Sequence, residues 1–291
     1  QMLSDEKTRL ARPAVLTAIA MLAFAANSLL CRMALGQQLI DAASFTSVRI
    51  LAGAVTLAAL VAWRDGRWEF SRPSYPAIVS LFCYMIFFSF AYLTLSAATG
   101  ALLLFGAVQL TMFAVGLREG ERFAGLSWAG LGLAFGGLVY LVAPGVTAPD
   151  PTGAVLMVLA GIAWGAYSLF GRGATDPLRE TAGNFVYSVP PAIAVSMVFL
   201  TDAGAPTMGI FLAVASGALA SGVGYAVWYA ALPSLNAGRA ATIQLSVPVI
   251  AAIGAVLFLG ESISFRLGVS SVLTIGGIWL VLAQRTIKAG R

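Results

Sequence analysis

The chain reads as an all-α integral membrane protein, with ten transmembrane helices arranged as two inverted five-helix repeats around a central cavity. Three observations predict this. Hydrophobic residues make up 59% of the 291 residues and charged residues only 10%, against about 25% charged in an average soluble domain. The apolar residues fall in runs long enough to cross a bilayer, which takes about 20 residues per helix. The chain also matches itself when it is shifted by 140 positions.

Ten such runs can be placed, at 13–35, 44–63, 74–97, 99–118, 124–143, 153–172, 181–201, 206–230, 238–259 and 265–284. The connections are short and leave no room for a soluble domain. The first run is span-length and follows a polar stretch, Gln1 to Arg12. It therefore reads as a retained helix, because a cleaved signal peptide has an apolar core of only about 7 to 15 residues. Basic residues set the orientation. With the N-terminus in the cytoplasm, fourteen Lys and Arg fall on the cytoplasmic side, Arg32 and Arg266 fall outside, and Arg49 lies within the second span. That asymmetry follows the positive-inside rule, and ten spans then return the C-terminus to the cytoplasm. It accounts for the net charge of +5 without invoking nucleic acid. Arg49 is expected to snorkel to the interface or to pair with a helix-end carbonyl.

The 140-residue shift lays "NSLLCR" (27–32) on "YSLFGR" (167–172), Gly120-Glu121 on Gly260-Glu261, and Gly136-Gly137 on Gly276-Gly277. One register serving three separated blocks divides the chain into halves at 1–145 and 146–291. Each half holds five spans, and an odd number forces the second half to enter the membrane from the opposite side. Inverted halves that enclose a midplane site are the architecture of secondary transporters. In span 5, Gly125, Ala129, Gly132 and Gly136, and in span 10, Gly268 and Gly276-Gly277, read as small faces for close helix approach.

Enzyme classes fail on inventory. The chain has no His and no pair of intramembrane carboxylates, and its two cysteines, Cys31 and Cys83, sit inside spans with no CxxC motif. Metal, Ser-His and aspartyl chemistry therefore lack their groups, and no cofactor or metal is implied. The two lysines, Lys7 and Lys288, form no phosphate-binding loop. A channel would carry a continuous polar stripe, whereas the polar residues here cluster at mid-depth.

The informative stretch is "GRAATIQLSVPVIAAIGAVLFLGE" (238–261). Pro248 has no N–H to give the carbonyl of Gln244, and its ring opens that turn. A freed carbonyl in hydrocarbon would cost several kcal/mol, so the kink is expected to line a cavity, with Gln244 and Ser246 presenting an amide and a hydroxyl there. Alternatively Gln244 bonds a neighbouring helix. Its repeat mate is Leu104, but Gln109 in span 4 supplies an amide beside the mate of Pro248. Asn27 pairs with Tyr167 and Phe24 with Trp164 across the repeat. Trp164 and Tyr167 share a face of span 6, as Tyr84 and Phe88 do in span 3. Tyr225 lies deep in span 8, whereas Trp228 and Tyr229 sit where an interfacial aromatic belt would be. The substrate-binding candidates are thus Asn27, Tyr84, Phe88, Gln109, Trp164, Tyr167, Tyr225, Gln244 and Ser246, and the gate or hinge candidates are Pro248, Glu121 and Glu261. Gly120 and Gly260 are read as helix stops. Pro190-Pro191 is expected to break span 7.

"LPSLNAGRAATIQLSVPVIAAIGAVLFLGE" (232–261), "GGIWLVL" (276–282) and "AGIAWGAYSLFGR" (160–172) resemble the EamA-type drug/metabolite transporters. The resemblance covers all ten spans and is most like a bacterial aromatic amino-acid exporter. It implies a basket of spans 1, 3, 4, 6, 8 and 9 around the cavity, spans 5 and 10 at the periphery, and a place in the bacterial inner membrane. A cavity of amides, hydroxyls and rings without charge suits bulky neutral amino acids. It also suits lipophilic cations, so a multidrug exporter of the same fold is the alternative. The partners expected are a small-molecule substrate and membrane lipid, with no obligate protein partner.

Overall fold

The computed structural model describes residues 2–71, 74–120, 123–199, 206–235 and 237–289, with backbone only for 2–12, 237–239 and 284–289. Every regular element among them is helical: α1 (Met2–Gly36), α2 (Ala42–Asp65), α3 (Tyr75–Ala91), α4 (Ala97–Arg118), α5 (Gly125–Val142), α6 (Pro151–Phe170), α7 (Pro177–Val198), α8 (Thr207–Ala215), a π-helical segment (Ser216–Val223), α9 (Gly224–Ala231), a short 3₁₀ turn (Leu232–Ser234), α10 (Ala237–Gln244), α11 (Ser246–Leu259) and α12 (Phe265–Ala289). Eight stretches are long and apolar enough to span a membrane by themselves. The other two crossings are α3, only 17 residues long, and α7, whose Thr181, Asn184 and Ser188 lower its hydropathy but are buried inside the protein.

Polar contacts sort the helix ends onto two faces, as alternating crossings require. On one face α1 meets the α11–α12 turn, where Arg32 pairs with Glu261 at 3.4 Å, and Thr94 reaches Asp150 before α6 at 3.1 Å. On the other, Arg64 at the end of α2 pairs with Asp65 and Asp176, and Arg179 of α7 reaches Asp65 at 2.7 Å.

The two-fold is visible in the packing. Helix α3 packs on α6 while span 8 packs on α1, and α4 packs on α6 while α11 packs on α1. Each of these is the repeat image of the other. Helices α2 with α7, α4 with α11, and α5 with α12 pack across the axis itself. The last pair shows the reciprocity of an isologous contact. A Cβ at Gly137 would stand 2.6 Å from Thr274 Oγ1, and one at Gly277, its mate, would stand 2.6 Å from the nitrogen of Ala134, the mate of Thr274.

Because lipid tails are as apolar as leucine, helices in a bilayer associate through close van der Waals fit rather than through expulsion of water. Small residues therefore mark contacts, but the face predicted for α5 is the wrong one. Gly125, Gly132 and Gly136 have open space around them, as do Gly268 and Gly276 in α12. The seam runs through Gly130, Ala134 and Gly137 against Thr274 and Gly277, one step around the helix. Both faces are rich in small residues, so composition alone could not choose between them.

Three further elements differ from expectation. Helix α7 continues through Pro190 and Pro191. Span 3 ends at Ala91, and a turn fills the interval before α4. Span 8 widens into a π-helical segment along "SGALASGV", a local widening that often accompanies function. The small residues let it press on its neighbours, with Gly217 against the backbone of Arg49 and Gly222 against Thr56. Span 9 breaks at Leu245, between α10 and α11, three residues ahead of Pro248, as the missing N–H demands. Gly120 (φ 85°) and Gly260 (φ 64°) take the left-handed conformation that ends a helix.

Candidate functional site

The centre of the bundle holds a narrow cavity whose water-accessible volume is about 20 Å³. Its wall takes Phe24, Asn27 and Ser28 from α1, Tyr84 and Phe88 from α3, and Leu104 and Phe105 from α4. Trp164 of α6, Ala220 of the π-helical segment, Tyr225 of α9 and Gln244 of α10 complete it. Spans 1, 3, 4, 6, 8 and 9 all contribute, and α5 and α12 do not.

Rings dominate one wall. Tyr84 packs on Trp164 with centroids 4.8 Å apart, and Trp164 stacks on Tyr225 at 5.3 Å and 20° between planes. Phe88 lies 5.4 Å from Tyr84, and Phe24 lies 5.7 Å from Tyr225. Such a continuous π surface offers stacking for a planar group. On α1, the Asn27 side-chain carbonyl accepts the Ser216 hydroxyl at 2.6 Å, which leaves its amide N–H groups for other acceptors.

Of the residues predicted from sequence, Asn27, Tyr84, Phe88, Trp164, Tyr225 and Gln244 come together here. The others do not line this cavity. Tyr167 is one turn farther along α6, where its hydroxyl donates to Thr181 Oγ1 at 3.3 Å and accepts from the Asn184 amide at 3.4 Å, while Thr181 donates to the Tyr229 hydroxyl at 3.1 Å. These four side chains tie α6, α7 and α9 together beneath the cavity. Gln109 is one turn beyond Phe105 on α4, where the neighbours are α5 and α12, and it lines a lateral pocket with Leu131, Ala134 and Ile278. Ser246 spends its hydroxyl on the carbonyl of Ile243 at 2.7 Å, inside the broken turn itself. Pro248 is buried in the first turn of α11. Trp228, read from its position as a belt residue, is 7% exposed and packs edge-on against Phe24 at 6.1 Å; it belongs to the interior.

Glu261 sits at the face where α1, α3 and α11 end. Its carboxylate pairs with Arg32 and accepts the Ala97 N–H through both oxygens at 3.1 and 3.0 Å. The charge thus sits on the N-terminus of α4, where the helix dipole favours an anion. Arg32 also donates to the carbonyls of Tyr92 and Leu93. Glu121, the repeat mate of Glu261, lies outside the described residues.

Arg49 departs furthest from expectation. It is 0% exposed and does not snorkel. Its guanidinium lies 4.8 Å over the Phe88 ring and 5.6 Å from the Tyr84 ring, and Nη2 donates to the Tyr84 hydroxyl at 3.2 Å. A cavity read as uncharged therefore has a cation directly behind two of its wall residues. The sequence did carry a signal, since an ionisable residue inside a span is a functional candidate by default. What it lacked was the direction of the side chain, which follows from Thr46, Arg49, Ile50, Gly53 and Leu57 forming the buried face of α2.

Residues 151–283 match the model of the EamA-like transporter family. An uncharacterized protein of Pseudomonas aeruginosa is 49% identical over 280 residues, spanning 96% of this chain and 98% of its own length. The chain contains an EamA-like transporter family domain. A solved crystal structure superimposes with a TM-score of 0.67 at 18% identity, over 94% of this chain and 99% of the other, so the fold is shared along nearly the whole length. The EamA-like family is one of membrane transporters, which makes this a multi-pass membrane protein handling a small-molecule substrate.

Proposed function

We propose that this chain is a secondary transporter that exports amino acids, aromatic or bulky and neutral, and related metabolites across the bacterial inner membrane by alternating access. Residues 1–145 and 146–291 are the two halves that rock against each other, with both termini cytoplasmic. The observation that carries the reading is that the rings of Tyr84, Trp164 and Tyr225 and the amides of Asn27 and Gln244 line one cavity, to which both halves contribute. The rings suit a planar or bulky side chain, and the amides suit the polar end of the same molecule. The acidic residues of the sequence fall at termini and connections, and His is absent. A proton relay within the membrane would need such groups, so transport is read as facilitated, down the gradient of the substrate.

The test is counterflow in proteoliposomes at equal pH and salt, with no voltage. Vesicles preloaded with unlabelled phenylalanine accumulate labelled phenylalanine, and Trp164→Ala lowers the rate at least ~10-fold without lowering the amount of folded protein. Strict dependence on an imposed proton or sodium gradient refutes the facilitated reading. Normal counterflow by Trp164→Ala refutes the site.

A further inference from the structure

The cation behind the cavity wall has no counterion. Arg49 Nε and Nη1 are buried without a hydrogen-bond partner, and among the described residues no carboxylate lies within ion-pairing distance of this side chain. A guanidinium stays protonated in proteins, and a buried charge that lacks a partner is costly to hold. The faces of Phe88 and Tyr84 offset part of that cost through cation–π attraction. They leave the positive field intact, beside two residues of the cavity wall.

Hydrogen-bond polarity carries that field inward. Guanidinium groups only donate, so the Tyr84 oxygen is the acceptor in its bond with Arg49. The Tyr84 O–H is therefore free to donate, and its proton is polarised by the cation behind it. Asn27 has its side-chain oxygen occupied by Ser216 and presents N–H groups. The polar lining thus includes donors, from Tyr84 and Asn27, in a positive potential, in surroundings of low dielectric where such a potential is strong.

We propose that Arg49, acting through Tyr84, makes the cavity selective for molecules that carry a carboxylate and excludes permanently cationic ones. The carboxylate is held by the Tyr84 hydroxyl under the charge of Arg49, and the remainder of the molecule lies along Trp164 and Tyr225. Arg49 is a positioning and charge-setting residue. This rests on the cavity being the substrate site, and it selects between the two substrate classes, neutral amino acids and lipophilic cations, that rings and amides alone leave open.

The experiment is binding to purified full-length protein by isothermal calorimetry, with four probes of matched size: phenylalanine, 3-phenylpropionate, phenethylamine and phenylalanine amide. The expected result is that both carboxylates bind at least ~10-fold more tightly than both amines. Arg49→Gln removes that ratio, Arg49→Lys keeps most of it, and Tyr84→Phe weakens the carboxylates alone. A residue with a purely structural role would weaken all four probes together. Arg49→Gln retaining the wild-type ratio overturns the proposal, as does wild-type protein that binds the amines as well as the carboxylates or binds neither carboxylate. Binding of 3-phenylpropionate but not phenylalanine, still dependent on Arg49, supports the charge selectivity while refuting amino-acid export. If Trp164→Ala changes the binding of no probe, the site lies elsewhere and the proposal falls with the cavity reading.

Discussion

Gly217 is one of the points where the π-helical segment of span 8 touches α2. A Cβ built there overlaps the carbonyl oxygen of Arg49 and stands 2.9 Å from both the Arg49 carbonyl carbon and the Ala52 Cβ, whereas ordinary contact begins at 3.4 Å. Alanine must therefore push the two backbones apart by at least half an ångström, and the atoms in the way are main chain that cannot swing aside. Overpacking of this kind costs about 1–3 kcal/mol, against about 1 kcal/mol gained from replacing glycine by alanine in a helix. With backbone on both sides of the contact, the cost falls at the upper end, and a net loss of about 2 kcal/mol is expected. The loss has a functional side, because the displaced backbone is that of Arg49. The internal control is Gly136→Ala in α5, where a Cβ meets open space and only the propensity gain of up to about 1 kcal/mol remains. Melting of the two purified variants in the same detergent is expected to shift in opposite directions by a few degrees, with Gly217→Ala below the parent and Gly136→Ala at or above it. Binding of 3-phenylpropionate is expected to drop in the first and to hold in the second. If Gly217→Ala melts at or above the parent, the close approach of α2 and the π-helical segment is wrong.

Glu261→Gln keeps an acceptor for the Ala97 N–H but removes the charge from both Arg32 and the α4 terminus. The pair is partly exposed, so its contribution is discounted, and about 1–2 kcal/mol in all shifts the closed arrangement about 5- to 30-fold toward opening at that end. Spin labels at Leu93 and Ile263, both exposed, should show a new longer distance; an unchanged distribution removes Glu261 from gating. Asp176 is pushed up by partial burial, but hydrogen bonds from Arg64 and the Arg179 backbone outweigh this and hold its carboxyl below the usual carboxylate range. A lowered folded-state value stabilises the fold above the unfolded value of about 4 and stops doing so as pH falls through the folded value. Asp176→Asn, which keeps the helix cap, should therefore melt below the parent at pH 7, by a gap that closes on acidification below about pH 4; a gap independent of pH assigns the residue to capping alone. For orientation, a cysteine at Val146 should react with an impermeant thiol reagent added outside intact cells, and one at Arg67 only after permeabilisation, both side chains being exposed. The reverse pattern inverts the topology.

Much of this protein was determined by the sequence alone. Run length and charge content require helices that span a bilayer, and a single 140-residue register with five spans per half requires the inversion. The break ahead of Pro248 and the stops at Gly120 and Gly260 follow from one missing N–H and from backbone angles that side chains resist. Of the candidate site residues, Tyr84, Trp164, Tyr225 and Gln244 were legible because polar and aromatic groups at mid-depth are costly unless they face the interior. The tertiary structure decided which way each helix turns. Gly132 and Gly136 and their neighbours Gly130 and Gly137 look alike in the sequence, yet only the latter pair meets α12. Gln109 is a buried amide and Gln244 a half-buried one, but the first lines the lateral pocket and the second the central cavity. Arg49 is visible in the sequence as a charge within a span, yet its burial against Tyr84 and Phe88 depends on the rotation of α2 about its own axis. In a bilayer both faces of such a helix are apolar, so hydrophobic periodicity carries almost no information about rotation. The fit of one helix against the next sets that angle, and with it the sign of the potential in the cavity.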